Sequence, residues 1–381
     1  MSLLKGEPIV LTSVLGPTNC RYRVRTAIAS GYLSLMTLPA SLPLPRTPDP
    51  AAAPPLNWGI LAPGGIAATF LSSVQEATRQ RFVAVGSRSA ARAQEFAARH
   101  GVPRAYGSYA ELVADPEVQA VYVASPHHAH HEQALLAIEA GKHVLVEKAF
   151  TRDAGQARDL AAAARTAGVT LMEAMWTRFL PRTDVVRQLL EDGVLGELET
   201  LHADHGQALT HVQRLVDPEL AGGALLDLGV YPISWAVFAL GLPSRVRAVG
   251  ELTERGVDRQ ETIVLEGFAA HPHAQAVLHT TLAAKTPTRA SISGTAARVE
   301  LGGSDFYCPG PVRLVAGKEE ADWAGNAPAG HKGMCHEAAH FAQLVADGQL
   351  ESPLLPLAET VAIMEIMDEV RAQLGVRYPG E

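Results

Sequence analysis

The chain has 381 residues, 47% hydrophobic and 19% charged, which describes a globular protein long enough for two domains with separate cores. A net charge of -8 with no Lys/Arg stripe excludes the counterion-displacing surface of a nucleic-acid binder. The three cysteines, Cys20, Cys308 and Cys335, are odd in number and far apart; they exclude a disulfide framework and a Cys-x-x-Cys metal site, and a reducing cytoplasm is the expected compartment.

Residues 1–55 open the chain without clear periodicity, and from Pro39 to Pro55 they are dense in Pro and Ala, the composition of an extended or disordered lead-in. Arg21, Arg23 and Arg25 precede a mildly apolar stretch, Ala27 to Leu44, that superficially has the layout of a secretory signal. Gly31, Pro39 and Pro43 break that stretch and it begins far from Met1; a true start at Met36 explains the segment as well. No run reads as long and apolar enough to span a membrane.

Residues 56–176 read as a dinucleotide-binding domain. Trp58–Ala62 has the character of a short buried strand, followed by Pro63-Gly64-Gly65-Ile66-Ala67 and a helical pattern through Ala77. A pyrophosphate is stabilised at such a helix start by free N–H groups and by the helix dipole. The usual G-x-G-x-x-G/A fingerprint is present as Ala62-x-Gly64-x-x-Ala67. Ala62 can stand for the first glycine only with negative φ; Gly64 allows close approach of phosphate and Ala67 close helix–strand packing. Strand-like runs at 82–86, 120–124, 143–147 and 170–174 alternate with helical patterns at 90–100, 109–114, 128–140 and 153–167. That alternation predicts parallel βαβ units in a doubly wound sheet. Ser108 with Glu111 makes a capping box, and Gly141 and Gly168 stand at helix stops.

The end of the second strand carries Ser87-Arg88-Ser89 and no carboxylate. A carboxylate about 20 residues past the glycines would select the 2′-hydroxyl of NAD, whereas a guanidinium grips a 2′-phosphate, so NADP is expected over NAD. Ser89 also reads as the N-cap of the next helix, which would leave Arg88 as a solvated side chain. His127, His128, His130 and His131 follow the fourth strand, and His127 and His131 could share a helix face, but no Cys or acidic ligand joins them at metal spacing. No metal is expected. Lys148 ends an apolar strand at the rim that lines the ligand crevice of such a fold.

In residues 177–381 the pattern changes to strands at 198–206, 245–251, 261–268, 274–282, 289–294 and 297–301 with few helices between them, then helical patterns at 335–346 and 357–374. This predicts a largely antiparallel sheet, one face on helices and the other open to a ligand or a partner subunit. Between the first two strands, Gly222-Gly223 would permit close approach of backbone to a ligand, and Asp227 and Tyr231 are spaced to share one helical face.

Several of these motifs in this order resemble the Gfo/Idh/MocA family of nicotinamide-dependent oxidoreductases over about residues 56–381: Trp58–Ala67, Ser125–His130, Ala140–Lys148 and Gly222–Pro232. Met172–Phe179 and the closing Gly375–Glu381 look like the branch containing dimeric dihydrodiol dehydrogenases and NADP-dependent pentose dehydrogenases. The family's Glu-Lys-Pro is Glu147-Lys148-Ala149 here, so the rigid turn after the lysine is expected to be lost, and Tyr231 stands where many members carry histidine. The resemblance implies a Rossmann domain joined to an open-faced α+β domain. It implies Tyr231 as proton-transfer residue with Lys148 and Asp227 beside it. It implies Gly64, Gly65, Ile66, Ala67, Ser87, Arg88, Ser125, Pro126, His127, His130, Glu147, Lys148, Trp176 and Arg178 around an NADP cofactor.

A tyrosinate could take a hydroxyl proton if Lys148 brought its pKa down from near 10. The expected activity is therefore hydride transfer to or from a sugar, polyol or vicinal diol, in a homo-dimer or homo-tetramer built through the C-terminal sheet. A nicotinamide-binding sensor of the same fold is the alternative from another class; Lys148, Asp227 and Tyr231 together favour an enzyme. An NAD-dependent glycoside hydrolase would need a further base that the chain does not display.

Overall fold

In the computed structural model, which describes residues 41–302, 305–325 and 330–381, the N-terminal elements run in strict alternation. They are β1 (Asn57–Leu61), α1 (Gly65–Ala77), β2 (Arg81–Gly86), α2 (Ala90–His100), β3 (Arg104–Tyr106), α3 (Tyr109–Ala114), β4 (Ala120–Val123), α4 (His130–Glu139), β5 (His143–Glu147), α5 (Ala154–Ala167) and β6 (Leu171–Ala174). The six strands are parallel in the order β3-β2-β1-β4-β5-β6. The order reverses between β1 and β4, the switch point where such sheets bind ligands at their carboxyl ends. Registers Leu61↔Val123, Val123↔Val146 and Glu147↔Ala174 bring those ends to one rim. Beneath it, Phe70 of α1 stacks on Tyr122 of β4 at 3.9 Å and meets Trp58 edge-on at 5.9 Å. The Ser108–Glu111 capping box is formed, and Gly168 ends α5 in the left-handed conformation.

Ala62 departs from the expectation of negative φ: it lies at φ 63. The tight turn into α1 thus uses the left-handed position normally given to glycine, with an alanine held there by its neighbours.

After β6 come α6 (Pro181–Glu191), β7 (Leu198–Gly206), α7 (Val230–Leu240), β8 (Arg245–Leu252), β9 (Asp258–Glu266), β10 (Gln275–Thr281), β11 (Ala290–Gly294), β12 (Arg298–Leu301), β13 (Val312–Ala316), β14 (Glu319–Trp323), α8 (Met334–Ala346) and α9 (Leu357–Leu374). The second sheet runs β14-β13-β12-β11-β7-β10-β9-β8, antiparallel except where β10 lies parallel to β7. Two helices and two strands of this half escaped the sequence pattern. α7 is buried around its whole circumference and so has no polar face to reveal a 3.6-residue period. In α6 the buried residues include Arg182 and Asp184, which disguise its inner face as polar. β14 is a charged edge strand, Glu319-Glu320-Ala321-Asp322-Trp323, a composition that protects an edge while hiding its alternation. The stretch Pro218–Leu240, with mean hydropathy 1.5, does have the length and apolar character to cross a membrane, contrary to the sequence reading; 94% of its most apolar window is buried inside the protein, where it serves as core.

Residues 41–55, expected as an extended lead-in, lie against the rest of the chain. Leu42 and Ala53 are buried, Asp49 caps a single helical turn at Pro50–Ala52, and Arg46 pairs with Asp184 (2.9 Å) and Glu191 (3.0 Å) of α6. The readings made on residues 1–40, including Cys20, the three arginines and Met36, fall outside the described residues.

Candidate active site

The C-terminal rim of the parallel sheet assembles the site from three strand ends. β5 delivers Glu147 and Lys148, β4 delivers Ser125, Pro126 and His127, and β6 leads into a short helix, Trp176–Phe179. From the other half of the chain, Leu225–Gly229 forms a π-helical turn running directly into α7 and presents Asp227 and then Tyr231. Pro232 stands five residues after Asp227 and has no N–H, so the wide turn leaves the Asp227 carbonyl without an i+5 donor. Lys148 takes that position: its Nζ donates to the Asp227 carbonyl at 2.8 Å and to Oδ1 at 3.3 Å. The same ammonium lies 5.2 Å from the centre of the Tyr231 ring.

Gly222 and Gly223, which set up this turn, approach protein rather than open space. A Cβ on Gly222 would come within 2.7 Å of the Leu215 carbonyl, and one on Gly223, at φ +122, within 2.1 Å of Asp258 Oδ1. Asp258 in turn accepts from Leu225 N at 2.5 Å at the head of the π turn. The Tyr378 hydroxyl donates to the Gly222 carbonyl at 2.8 Å, so the closing segment of the chain holds the same loop.

Electrostatics distinguish the three central groups. Burial works to raise the pKa of Asp227, but Lys148, Arg214 and His127 outweigh it and keep the carboxylate ionised well below the ordinary range. The sequence led us to expect that Lys148 lowers the Tyr231 phenol. Instead burial dominates, the Glu147 charge adds to it, and the phenol is held well above 10 even though Trp176 Nε1 donates to its oxygen at 3.1 Å. Tyr231 is therefore a protonated acid in this pocket. Glu147 is itself buried, raised by that burial, and accepts a short hydrogen bond from the Tyr122 hydroxyl beneath the rim.

The remaining predicted residues fall into two groups. Gly64 and Gly65 are exposed at the α1 N-terminus, with Ile66 half-buried and Ala67 fully buried against the sheet. A Cβ at Gly65 would meet nothing within 4 Å and one at Gly64 only the Ala62 carbonyl at 3.9 Å. No acidic residue and no side-chain cap occupies that first turn, so its N–H groups are free for an anion. Ser87 is buried and accepts from Ser89 N at 3.2 Å, while Ser89 caps α2 and Arg88 is exposed beside Tyr109. Ser89 thus caps α2 as the sequence suggests, and the exposed Arg88 guanidinium interacts with the Tyr109 side chain. Ser125 Oγ is buried with no partner, a polar atom a ligand can satisfy. These features fit the pyrophosphate and ribose groups of a dinucleotide.

His127, His130 and Arg178 are buried and bonded to protein groups. The His127 ring contacts the Ala221 carbonyl at 3.1 Å, and burial pushes its pKa down to about 3. His130 ties the Ser125 carbonyl (2.7 Å) to the Ala149 carbonyl (2.9 Å) and is pushed down to about 4 by burial; a neutral ring has one N–H, so it donates in only one of those contacts. The Lys148–Ala149 peptide is cis, and Ala149 is fully buried. Arg178, expected beside the cofactor, pairs instead with Glu359 (2.7 Å), bonds to Ser234 and the Leu354 carbonyl, and packs over Phe238 at 5.1 Å. Among the described residues, no cluster of three or more His, Cys, Asp or Glu side chains is arranged to hold a metal.

Sequence reasoning missed the outer wall. Arg214 shares Asp227 Oδ1 with Lys148 at 3.1 Å. His205, at the end of β7, stacks on Tyr307 at 4.4 Å, and Tyr307 lies 4.8 Å from the Tyr231 ring. Gln207 reaches both His205 Nε2 (3.0 Å) and the Tyr307 hydroxyl (3.3 Å), and His331 stacks on Trp176 at 5.3 Å. The polar run His205-Gly206-Gln207 at a strand end was the one available signal; Tyr307 and His331 stand in stretches without periodicity.

Comparison with known proteins agrees with this layout. Residues 56–175 match the oxidoreductase family with an NAD-binding Rossmann fold, and residues 183–300 match the GFO/IDH/MocA C-terminal domain. The chain belongs to the Gfo/Idh/MocA family. It is an oxidoreductase with an NAD(P)-binding Rossmann domain. Among curated Gfo/Idh/MocA relatives, the trans-1,2-dihydrobenzene-1,2-diol dehydrogenase of Macaca fascicularis is 37% identical over 333 residues, which cover 85% of this chain and 98% of the relative. That of Homo sapiens is 37% identical over 336 residues with the same coverage. A 3-ketoreductase from Actinomadura kijaniata, solved with NADP and TDP-benzene, superposes with a TM-score of 0.71 at 27% identity over 84% of this chain and 98% of its own. An aldose-aldose oxidoreductase from Caulobacter crescentus shares the fold at a TM-score of 0.75 and 23% identity, again over 84% and 98%.

Proposed function

We propose that this chain is an NADP-dependent oxidoreductase acting on a CH–OH carbon of a sugar, polyol or vicinal diol, of the dihydrodiol dehydrogenase or aldose 1-dehydrogenase kind. The observation that carries the reading is the meeting of Lys148 and Asp227 beside the Tyr231 ring at the carboxyl rim of the parallel sheet. The names of the two curated relatives above, both dihydrodiol dehydrogenases, support the substrate class, and the NADP in the ketoreductase structure supports the cofactor, as does the exposed Arg88 with no carboxylate at the end of β2.

The N–H groups at Gly64–Ala67, Ser87 with Arg88, and Ser125 Oγ would hold the dinucleotide, and the nicotinamide, when bound, supplies or accepts the hydride. Tyr231, kept protonated by burial, donates its proton to the substrate oxygen in reduction and takes it back in oxidation. Lys148 can hydrogen-bond that same oxygen, and its two contacts with Asp227 fix the ammonium so that little reorganisation accompanies charge development there. Asp227 carries a second cation, Arg214, toward the outer pocket. Together with His205, Gln207 and the Tyr307 hydroxyl this lines the substrate side with several donors and acceptors, which suits a compound bearing more than one hydroxyl. A self-associated state built on the outer face of the second sheet is part of the proposal, and light scattering on the purified chain tests it.

The deciding experiment is a panel of vicinal diols and aldoses incubated with NADP and with NAD, and of the matching carbonyl compounds with the reduced cofactors, followed by absorbance of the reduced nicotinamide. Turnover of at least one member with NADP preferred is the expected result. Cofactor binding with no turnover in either direction would identify a sensor instead.

A further inference from the structure

A second, partly open cavity is lined by Arg178 and Phe179 of the Trp176–Phe179 helix and by none of Lys148, Asp227 and Tyr231. It has a volume of about 470 Å³, within the range of small-molecule pockets, and is walled by residues 46–53, one face of α6 and one face of α8. The wall supplied by residues 46–53 precedes residue 56, where the family match begins, so it is an addition to the shared fold.

Three properties of the wall define what fits. Phe179, Leu180, Ala339 and Leu354 make it largely apolar, and the His340 ring stacks on Phe179 at 5.0 Å. Its cations are already matched: Arg46 with Asp184 and Glu191, Arg187 with Asp184 at 3.2 Å, and Arg178 with Glu359 at 2.7 Å. An anionic ligand would find no spare cation and would lose hydration on entry, and the one carboxylate of the wall without an ion pair among the described residues, Asp49, is engaged as the cap of the Pro50–Ala52 turn. Finally, His336 is only 8% exposed, yet neither ring nitrogen has a hydrogen-bond partner among the described residues. Burial pushes both His336 and His340 down to about 4, so each ring is neutral at ordinary pH. His340 has a partner in the Ser352 hydroxyl at 2.8 Å; His336 has none. The buried Nδ1 is orphaned, and Nε2, which is not fully buried, is the ring atom an occupant's polar group can reach.

We propose that this cavity is a second small-molecule site, for an uncharged, mainly apolar ligand that bears a single hydroxyl or carbonyl and bonds to His336. The site is built by residues 46–53 against α6 and α8 and backs onto the short helix whose Trp176 holds the Tyr231 hydroxyl. It does not depend on which substrate the active site takes.

The test uses 2-naphthol, which has this chemistry, titrated calorimetrically into the full chain and into Ala339→Leu, His336→Phe and Lys148→Met. Ala339→Leu fills the cavity and should abolish the binding. His336→Phe keeps the size of the ring but removes the hydrogen bond, and should raise Kd by about five-fold, the worth of one such bond. Lys148→Met, in the other pocket, should leave the binding intact, and both cavity variants should keep their turnover. Should Ala339→Leu fail to fold, His336→Phe against Lys148→Met decides the matter. The proposal is overturned if the unaltered chain binds no 2-naphthol up to its solubility, or if binding survives both cavity changes.

Discussion

Replacing Tyr231 by Phe removes one oxygen atom whose structural and chemical contributions differ enough in size to be separated. Structurally, the hydroxyl accepts one hydrogen bond, from Trp176 Nε1 at 3.1 Å, in a buried position. Its loss leaves an indole N–H unpaired, a cost of about 1–3 kcal/mol, partly offset because one buried hydroxyl need no longer be desolvated. The net change, roughly 1 kcal/mol, lowers the melting temperature by no more than a few degrees in a chain of this size. Chemically, a positioned proton donor contributes roughly 10²–10⁴-fold, or about 3–5 kcal/mol of barrier. Steady-state rates with the best substrate of the panel should therefore fall by that factor, while cofactor affinity, read by quenching of tryptophan fluorescence, stays within about two-fold. Retention of more than about a tenth of the turnover would refute the acid–base assignment, since only positioning would then remain. Trp176→Phe provides the complementary case. The indole N–H lowers the phenol pKa against burial and the Glu147 charge, so its removal should move the basic limb of the pH–rate profile upward.

Arg88→Ala should weaken NADP by roughly 10–100-fold, the worth of charge-assisted bonds to a phosphate, and NAD far less; equal losses for the two cofactors would remove Arg88 from the site. Ala62→Gly relieves a left-handed alanine worth about 1–2 kcal/mol and adds about 0.5–1 kcal/mol of unfolded-chain entropy, so urea denaturation should register a net gain of about 0.5–1 kcal/mol. For Asp258, burial raises the folded-state pKa from 3.8 to about 6. The stability linked to its proton is fully present below the unfolded value and is lost as pH rises through the folded one. Asp258→Asn should accordingly be more stable than the parent above about pH 6, with the difference shrinking toward about pH 4; a pH-independent difference in denaturation midpoint would contradict the assignment.

The Rossmann half was legible because its signals are local. Apolar runs of strand length, helices with a polar face, and the Ser108–Glu111 cap each act within a few residues, and the order of elements leaves one plausible winding. Lys148 was legible for the same reason, as the end of a buried strand at a switch point. Asp227 and Tyr231 were visible as a motif, but the same-face argument was drawn for an ordinary helix; the π turn before Pro232, which frees the Asp227 carbonyl for Lys148, depends on how residues 222–232 pack against Asp258 and Tyr378.

The amino-acid order by itself settled the succession of strands and helices in the first half, the class of cofactor, and the residue types available for proton transfer, because these follow from periodicity, turn chemistry and charge along short stretches. Only the tertiary structure decided how those residues behave. It buried the Tyr231 phenol so that it stays protonated, paired the buried Arg178 with Glu359, brought Arg214, His205 and Tyr307 to the pocket from distant segments, and set residues 46–53 against α6. Burial and long-range charge pairing depend on which segments meet in space, and a one-dimensional pattern holds no measure of that distance.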